Sequence, residues 1–399
     1  MNRDSLDMTQ ASASRQPGRL AWRPDPVALS AAVMSLVACL SLPFASLKED
    51  RLAPGQGLSL LQSSGPGLAV CLLWVLLLLL CLSRSKPAYL LQCGLALGGV
   101  LAYFILAGEQ AIGSDQARIS WGPAFWLALF AAYVLLSNAW RRLGPGISRL
   151  GLGLLVLVCL LLVGCSGLLE HLALSREYLQ RQDRFWAEVL NHVLIAGISS
   201  AGAVALGFPL GLWAYFRHSG ASRLFFFLNM LQTVPSLALF GILVAPLAIL
   251  ARQLPFLQQL GIQGIGWFPA VLALTLYCLL PIVRNTYAGF NSVDQDTLHA
   301  GRGMGMTSRQ LLLRVQLPVV SPVLLGGVRV AAVQAVGNTA VAALIGAGGL
   351  GTFIFQGLGQ GASELILLGA LPTIVLALAS DMLFRATARA LTPKGLQQG

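Results

Sequence analysis

A polar insert, residues 291–318, stands between two long apolar runs and carries side chains of the kind that recognise a partner. Asp294 and Asp296 open it, His299 and Arg302 follow, and Arg309 and Arg314 lead into Leu317-Pro318. The two acids suit the positive N-terminal end of a helix. The arginines pair with acids on a partner or with anionic lipid headgroups. Gly303 and Gly305 allow a sharp bend between two short helices, and Leu311, Leu312, Leu313 and Val315 add apolar surface. Covalent and acid–base chemistry lack their side chains. His171, His192, His218 and His299 are scattered, so no Ser/His/Asp or Cys/His set can be assembled. No enzyme site, metal or bound cofactor is expected. The three lysines, Lys48, Lys86 and Lys394, do not follow the phosphate-loop pattern G-x-x-x-x-G-K-S/T. If ATP drives the protein, ATP and Mg must sit on a partner ATPase. Six cysteines (Cys39, Cys71, Cys81, Cys93, Cys159, Cys278) lie in apolar runs as small buried fillers. Leu162-Val163-Gly164-Cys165 looks like a lipoprotein cleavage box but lies mid-chain, far from an N-terminal signal.

The elements that position this insert must be membrane spans. The 399 residues are 56% hydrophobic and 10% charged, with mean hydropathy +0.75; soluble domains carry about 25% charge. The expected fold is an all-α polytopic membrane protein of about ten transmembrane helices, since apolar runs long enough for a ~30 Å core recur throughout. Candidate spans are 26–47, 67–83, 88–107, 121–140 and 147–169, then 190–214, 224–251, 268–290, 319–345 and 363–384. With the N-terminus inside, the loops with Arg84/Lys86, Arg141/Arg142/Arg149, Arg217/Arg223, residues 291–318 and Arg385/Arg389/Lys394 fall in the cytoplasm. The outer loops are balanced or acidic. That asymmetry obeys the positive-inside rule and puts both termini in the cytoplasm. It also accounts for the net charge of +11 without nucleic acid.

The expected organisation is a cytoplasmic tail at 1–25, an accessory transmembrane domain at 26–169, a periplasmic connector at 170–188, a core at 189–385 and a second tail at 386–399. The first spans are Leu-rich; the later ones hold Gly, Pro, Asn, Gln and Thr, which line pathways and let helices approach. Gln232, Thr233 and Ser236 flank Pro235 mid-span, a place for a kink with polar partners. Arg329, Gln334, Asn338 and Thr339 are candidate pathway residues of one span, with pairing to Asp381 as the plainer reading of Arg329. The charge-free run Gly346–Gly361, with Gly346, Gly348, Gly349 and Gly351, reads as an outer gate or a contact for an external partner.

At 299–318 the spacing fits a known cytoplasmic loop, the E-A-A motif. His299-Ala300-Gly301 fills its first triplet, Gly305 its glycine place, and Val315, Leu317 and Pro318 its end. On these residues the segment resembles the coupling loop of permease subunits of binding-protein-dependent ABC importers. Residues 190–384 resemble the glycine-betaine/choline osmoprotectant permeases through Gln232-Thr233-Val234-Pro235-Ser236, Leu280 to Tyr287, Gly303-Met304-Gly305-Met306 and Ala342 to Gly351. The preceding spans are similar to those of a longer subgroup. The resemblance implies a five-span core that dimerises, two ATPase subunits on the cytoplasmic side, an external solute-binding protein and a quaternary-ammonium substrate such as glycine betaine. Another small solute, such as an amino acid, fits the same class. An ion-gradient carrier is a further alternative, for which the core offers only Glu364 and Asp381 as acids. The motif's acidic first residue is His299 here and its second Ala is Gly301. This departure predicts a second, different permease chain carrying the fuller motif.

Overall fold

A computed structural model describes residues 25–48, 55–62, 64–111, 118–143, 147–165, 172–259 and 261–391. Of the expected tails at 1–25 and 386–399, residues 1–24 and 392–399, with Lys394, lie outside them, as does His171, while 386–391 are the last helical residues of the chain. The chain packs as two units, Met1–Arg176 and Glu177–Gly399.

The first unit is built from α1 (Pro26–Ser41), α2 (Ser64–Leu80), α3 (Lys86–Ala111), α4 (Pro123–Arg142) and α5 (Ile147–Cys165). Three short strands join them, which the all-helical expectation left out. They are β1 (Ala45–Lys48), β2 (Gln56–Leu58) and β3 (Arg118–Trp121), in the antiparallel order β2-β1-β3. Gly122 fits where β3 turns into α4 because a Cβ there would meet the Pro43 carbonyl oxygen at 2.3 Å. Below the strands, Phe44, Tyr103, Trp121 and Phe125 interlock, with Trp121 and Phe125 stacked at 3.9 Å. Asp25, at the last position of the expected tail, is fully buried as the N-cap of α1. Its carboxylate accepts from Val27 N at 3.1 Å, Tyr89 Oη at 3.0 Å and Asn138 Nδ2 at 3.0 Å. Its own N–H donates to the Cys81 carbonyl at 3.3 Å.

Helix α6 (Ala173–Gln180) crosses the boundary between the units. The second unit continues with α7 (Gln182–Phe216), α8 (His218–Thr233), α9 (Ser236–Gln253), α10 (Pro255–Gln259) and α11 (Trp267–Asn291). The expected connector residues from 182 onward are thus the first turns of α7. The polar insert forms α12 (Gln295–Gly303), α13 (Ser308–Leu311) and a π turn (Leu312–Gln316) that runs into α14 (Leu317–Ala342). A 3-10 turn (Ala343–Ile345), α15 (Gly351–Gln360) and α16 (Ser363–Leu391) complete the unit. α11 lies at its centre, packed on α7, α8, α9 and α14. Small residues let these axes close: a Cβ on Gly211 of α7 would meet Thr286 of α11 at 2.5 Å.

Among the described residues, seven helices are long and apolar enough to cross a membrane. Three shorter apolar helices, Pro26–Ser41, Gly65–Leu80 and Leu150–Val163, stand at further expected positions. The run expected as one span at 224–251 is two helices, because Pro235 has no N–H to continue α8.

Candidate coupling segment and outer glycine loop

The polar insert is a hinged arm fixed at both bends. Asp294 caps α12, accepting from Asp296 N at 3.3 Å. Where α12 ends, Met306 N–H reaches back to the Gly301 carbonyl at 3.1 Å and Gly305 N–H to the Arg302 carbonyl at 2.9 Å. This is the Schellman pattern, and it requires the left-handed φ of +80° that Gly305 supplies. Two residues on, Thr307 and Gln310 form a reciprocal capping box for α13. The next turn is π rather than α: Leu317 N–H bonds the Leu312 carbonyl just ahead of Pro318, which has no N–H.

An apolar cluster fixes the arm to its own unit. Phe290, Val293, Leu298, Leu311 and Val320 are buried there, with Phe208, Leu212 and Tyr215 of α7 packed around them. Gln316, also buried, donates from Nε2 to Tyr215 Oη at 3.1 Å. Two expectations change. Leu311 is 4% exposed and Leu312 and Leu317 are half-buried, so these leucines serve the chain's own core. Gly301 is a packing choice, since a Cβ there would meet the buried Leu311 Cδ1 at 2.5 Å. Asp294, Asp296, His299, Ala300, Arg302, Gly305, Arg309, Arg314 and Pro318 are exposed. Met304, 71% exposed, and Leu313, 48% exposed, add the apolar part of this basic ridge.

At the other end of α14 the glycine loop is tied to α7. Gly349 N–H donates to Glu188 Oε2 at 2.6 Å, and Asn191 Nδ2 donates to the Ala347 carbonyl at 2.8 Å. His192 Nδ1 accepts from Leu350 N–H at 3.3 Å, so the ring proton sits on Nε2 and faces the Val336 carbonyl at 2.9 Å. Glu188, Asn191 and His192 share one helix face at i, i+3 and i+4. The sequence reading overlooked this trio; its signal was the i, i+3, i+4 spacing of three polar residues entering an apolar run. Gly346, Gly348 and Gly349 all have positive φ, and a Cβ on Gly348 would meet Asn191 Nδ2 at 2.4 Å. Gly351 has the Ala340 carbonyl oxygen 1.8 Å from the place of a Cβ.

The expected pathway residues do not form one group. At the α8–α9 break, Tyr277 of α11 bonds both sides: its hydroxyl donates to the Val234 carbonyl, and its own carbonyl accepts from Gln232 Nε2 at 3.0 Å. Thr233 Oγ1 donates back to the Met230 carbonyl at 2.7 Å, Pro235 is exposed and Ser236 half-buried. Arg329 pairs with Asp381 of α16, the plainer of its two expected readings. Thr339 is fully buried and bonds the Ala335 carbonyl of its own helix at 2.7 Å. A five-residue step turns about 140° around a helix, so it does not share the face of Gln334. Gln334 and Asn338 remain, half-buried at i and i+4.

Helices of membrane-spanning length, an exposed basic arm before α14 and a tied glycine loop after it fit a membrane permease, a transport component. The chain belongs to the permeases of binding-protein-dependent transport systems. Residues 204–394 match the family described as binding-protein-dependent transport system inner membrane component. Residues 23–175 match the N-terminal domain of ABC transporter permease YehY. The chain is 37% identical over 206 residues to the glycine betaine/carnitine/choline transport system permease protein OpuCB of Bacillus subtilis, covering 52% of this chain and 88% of that protein. It is 37% identical over 206 residues to the osmoprotectant import permease protein OsmW of Salmonella typhimurium, covering 52% of this chain and 91% of that one. Among solved structures, the inward-facing MetNI methionine ABC transporter aligns with TM-score 0.45 and 20% identity over 52% of this chain and 96% of that chain. Family membership implies an ATPase and a substrate-binding protein as partners.

Proposed function

We propose that this chain is the permease of an ATP-driven importer for a small quaternary-ammonium osmolyte, such as glycine betaine, choline or carnitine. The observation that carries the reading is the exposed basic ridge of α12 and α13, rooted through the π turn in α14, in a chain of this family. Two ATPase subunits, which bind ATP and Mg, dock on Arg302, Met304, Arg309 and Arg314 from the cytoplasm. ATPase closure then moves α14 and opens the path alternately to either side. Gln334 and Asn338 line that path against a second permease, and the glycine loop at 346–351 forms its outer gate beneath the solute-binding protein. The loop charges support ten spans in a bacterial inner membrane with both termini in the cytoplasm.

The test is reconstitution of the full complex, with its ATPase and binding protein, into vesicles. ATP-dependent uptake of a betaine is expected, with Arg309→Glu abolishing it and Gly349→Val reducing it strongly. Uptake that needs no ATPase and follows an ion gradient would overturn the reading. Uptake confined to amino acids would move the substrate within the same class.

A further inference from the structure

Between α7, α14 and α16 runs an apolar groove of about 520 Å³. Its floor is made by Gly197 and Ala201 of α7, Val328 and Ala332 of α14, and Ala379 and Leu383 of α16. All three helices are long and apolar enough to cross a membrane, and the groove runs along them. From Leu376 to Phe384 the lining of α16 rises about 12 Å at ~1.5 Å per residue, which gives a long, narrow slot. Small residues make most of the floor, and its polar groups are few: Ser200 Oγ donates to the Ala196 carbonyl at 2.7 Å, His192 faces the Val336 carbonyl at 2.9 Å, and Ser380 is the remaining polar side chain of the lining.

One end of the slot is charged. Arg329 follows Val328 and Arg385 follows Phe384, at the end nearer Leu317 and Leu391. Asp381 takes the Nε of Arg329 on one oxygen and the Nε of Arg385 on the other, at 2.8 Å for the latter. The carboxylate therefore orients both guanidiniums and leaves their outer Nη edges without a hydrogen bond to the described residues. Their side chains are 36% and 53% exposed, and the trio carries one net positive charge. Guanidinium edges of this kind bind phosphate oxygens in pairs.

We propose that this slot is a lipid site: it takes one acyl chain of an anionic phospholipid whose phosphate sits on Arg329 and Arg385. The apolar slot and the charged end are adjacent, and only a ligand with an apolar tail and an anionic head satisfies both.

The full-length chain, purified from nanodiscs of equal phosphatidylglycerol and phosphatidylcholine, is read by native mass spectrometry for retained lipid. One phosphatidylglycerol is expected in preference to phosphatidylcholine. Arg385→Gln and Ala379→Leu should each lower its retention about tenfold, the first by removing charge and the second by filling the slot. Arg385 is exposed, so its variant stays informative if Ala379→Leu fails to fold. A phosphatidylglycerol with a photoreactive acyl chain should label residues 376–384. Equal retention of the two lipids, or retention unchanged in Arg385→Gln, overturns the proposal. So does a cross-link from Ala379→Cys to another helix of the chain or to a second copy, which would mean that protein fills the slot.

Discussion

Asp25 ties four helix ends together through one residue, as the cap of α1 with bonds to Cys81, Tyr89 and Asn138. Burial pushes its carboxyl up, but the bonds from Asn138, Tyr89 and the backbone of Val27 and Ala28 outweigh this and hold it below 3.8. A group with a depressed folded-state value contributes its full stability above the unfolded value and loses it as pH falls. Thermal stability should therefore drop as pH falls below about 4, and Asp25→Asn should flatten that drop. Parallel slopes for the two proteins would refute the assignment. Asp25→Ala leaves buried donors unpaired and should cost about 1–3 kcal/mol for each. The sequence placed Asp25 in a tail because its partners lie on helices up to 113 positions away. By contrast, the exposed arginines of the arm were legible, because charge in an apolar chain must face water or a partner. Gly301 stood in the sequence only as a departure from the motif, since the motif shows nothing of Leu311 packed above it.

At the scale of elements, the arm depends on caps more than on length. α13 has four helical residues, too few to hold a helix on propensity alone. Thr307→Ala removes its cap and should destabilise it by about 1 kcal/mol. Uptake should fall several-fold while helicity of the whole chain, read by circular dichroism, stays the same. Full uptake by this variant would show that the bend is not what couples. Periodicity and apolar length made the long helices readable, because both are local. Pro235 was seen as a kink, but the break it makes rests on Tyr277, 43 residues from Val234. The three-stranded sheet escaped notice for a similar reason. Its strands have three or four residues each, and β1 pairs with β3 across α2 and α3.

For the whole molecule, the open question of assembly narrows to His299. Two departures from the coupling motif suggested a second, different permease, and Gly301 is now explained by packing. If an acid at that place engages a basic rim on the ATPase, His299→Glu should raise uptake when this chain is the only permease present. The measurement is ATP-dependent uptake by vesicles holding one permease type. Unchanged uptake would mean that His299 is no handicap and that two copies of this chain suffice. Composition led to an expected division near residues 170–188, where Leu-rich spans give way to Gly- and Pro-bearing ones, and the chain packs as two units, Met1–Arg176 and Glu177–Gly399.

The π turn at Leu312–Gln316 has a consequence for the phase of α14. A helix presents its side chains in a fixed angular order, and a turn with one residue too many is a slip in that order. Removing the surplus would rotate everything beyond it by about 100° relative to the arm. Gln334 and Asn338 would swing from their half-exposed face toward another side of the bundle. Deletion of Leu313, an exposed residue of the turn, should regularise it and lock that second orientation. The variant should fold but not transport; normal transport would show that the slip is silent. The angular setting of α14 against the arm thus hangs on the passage of a single residue.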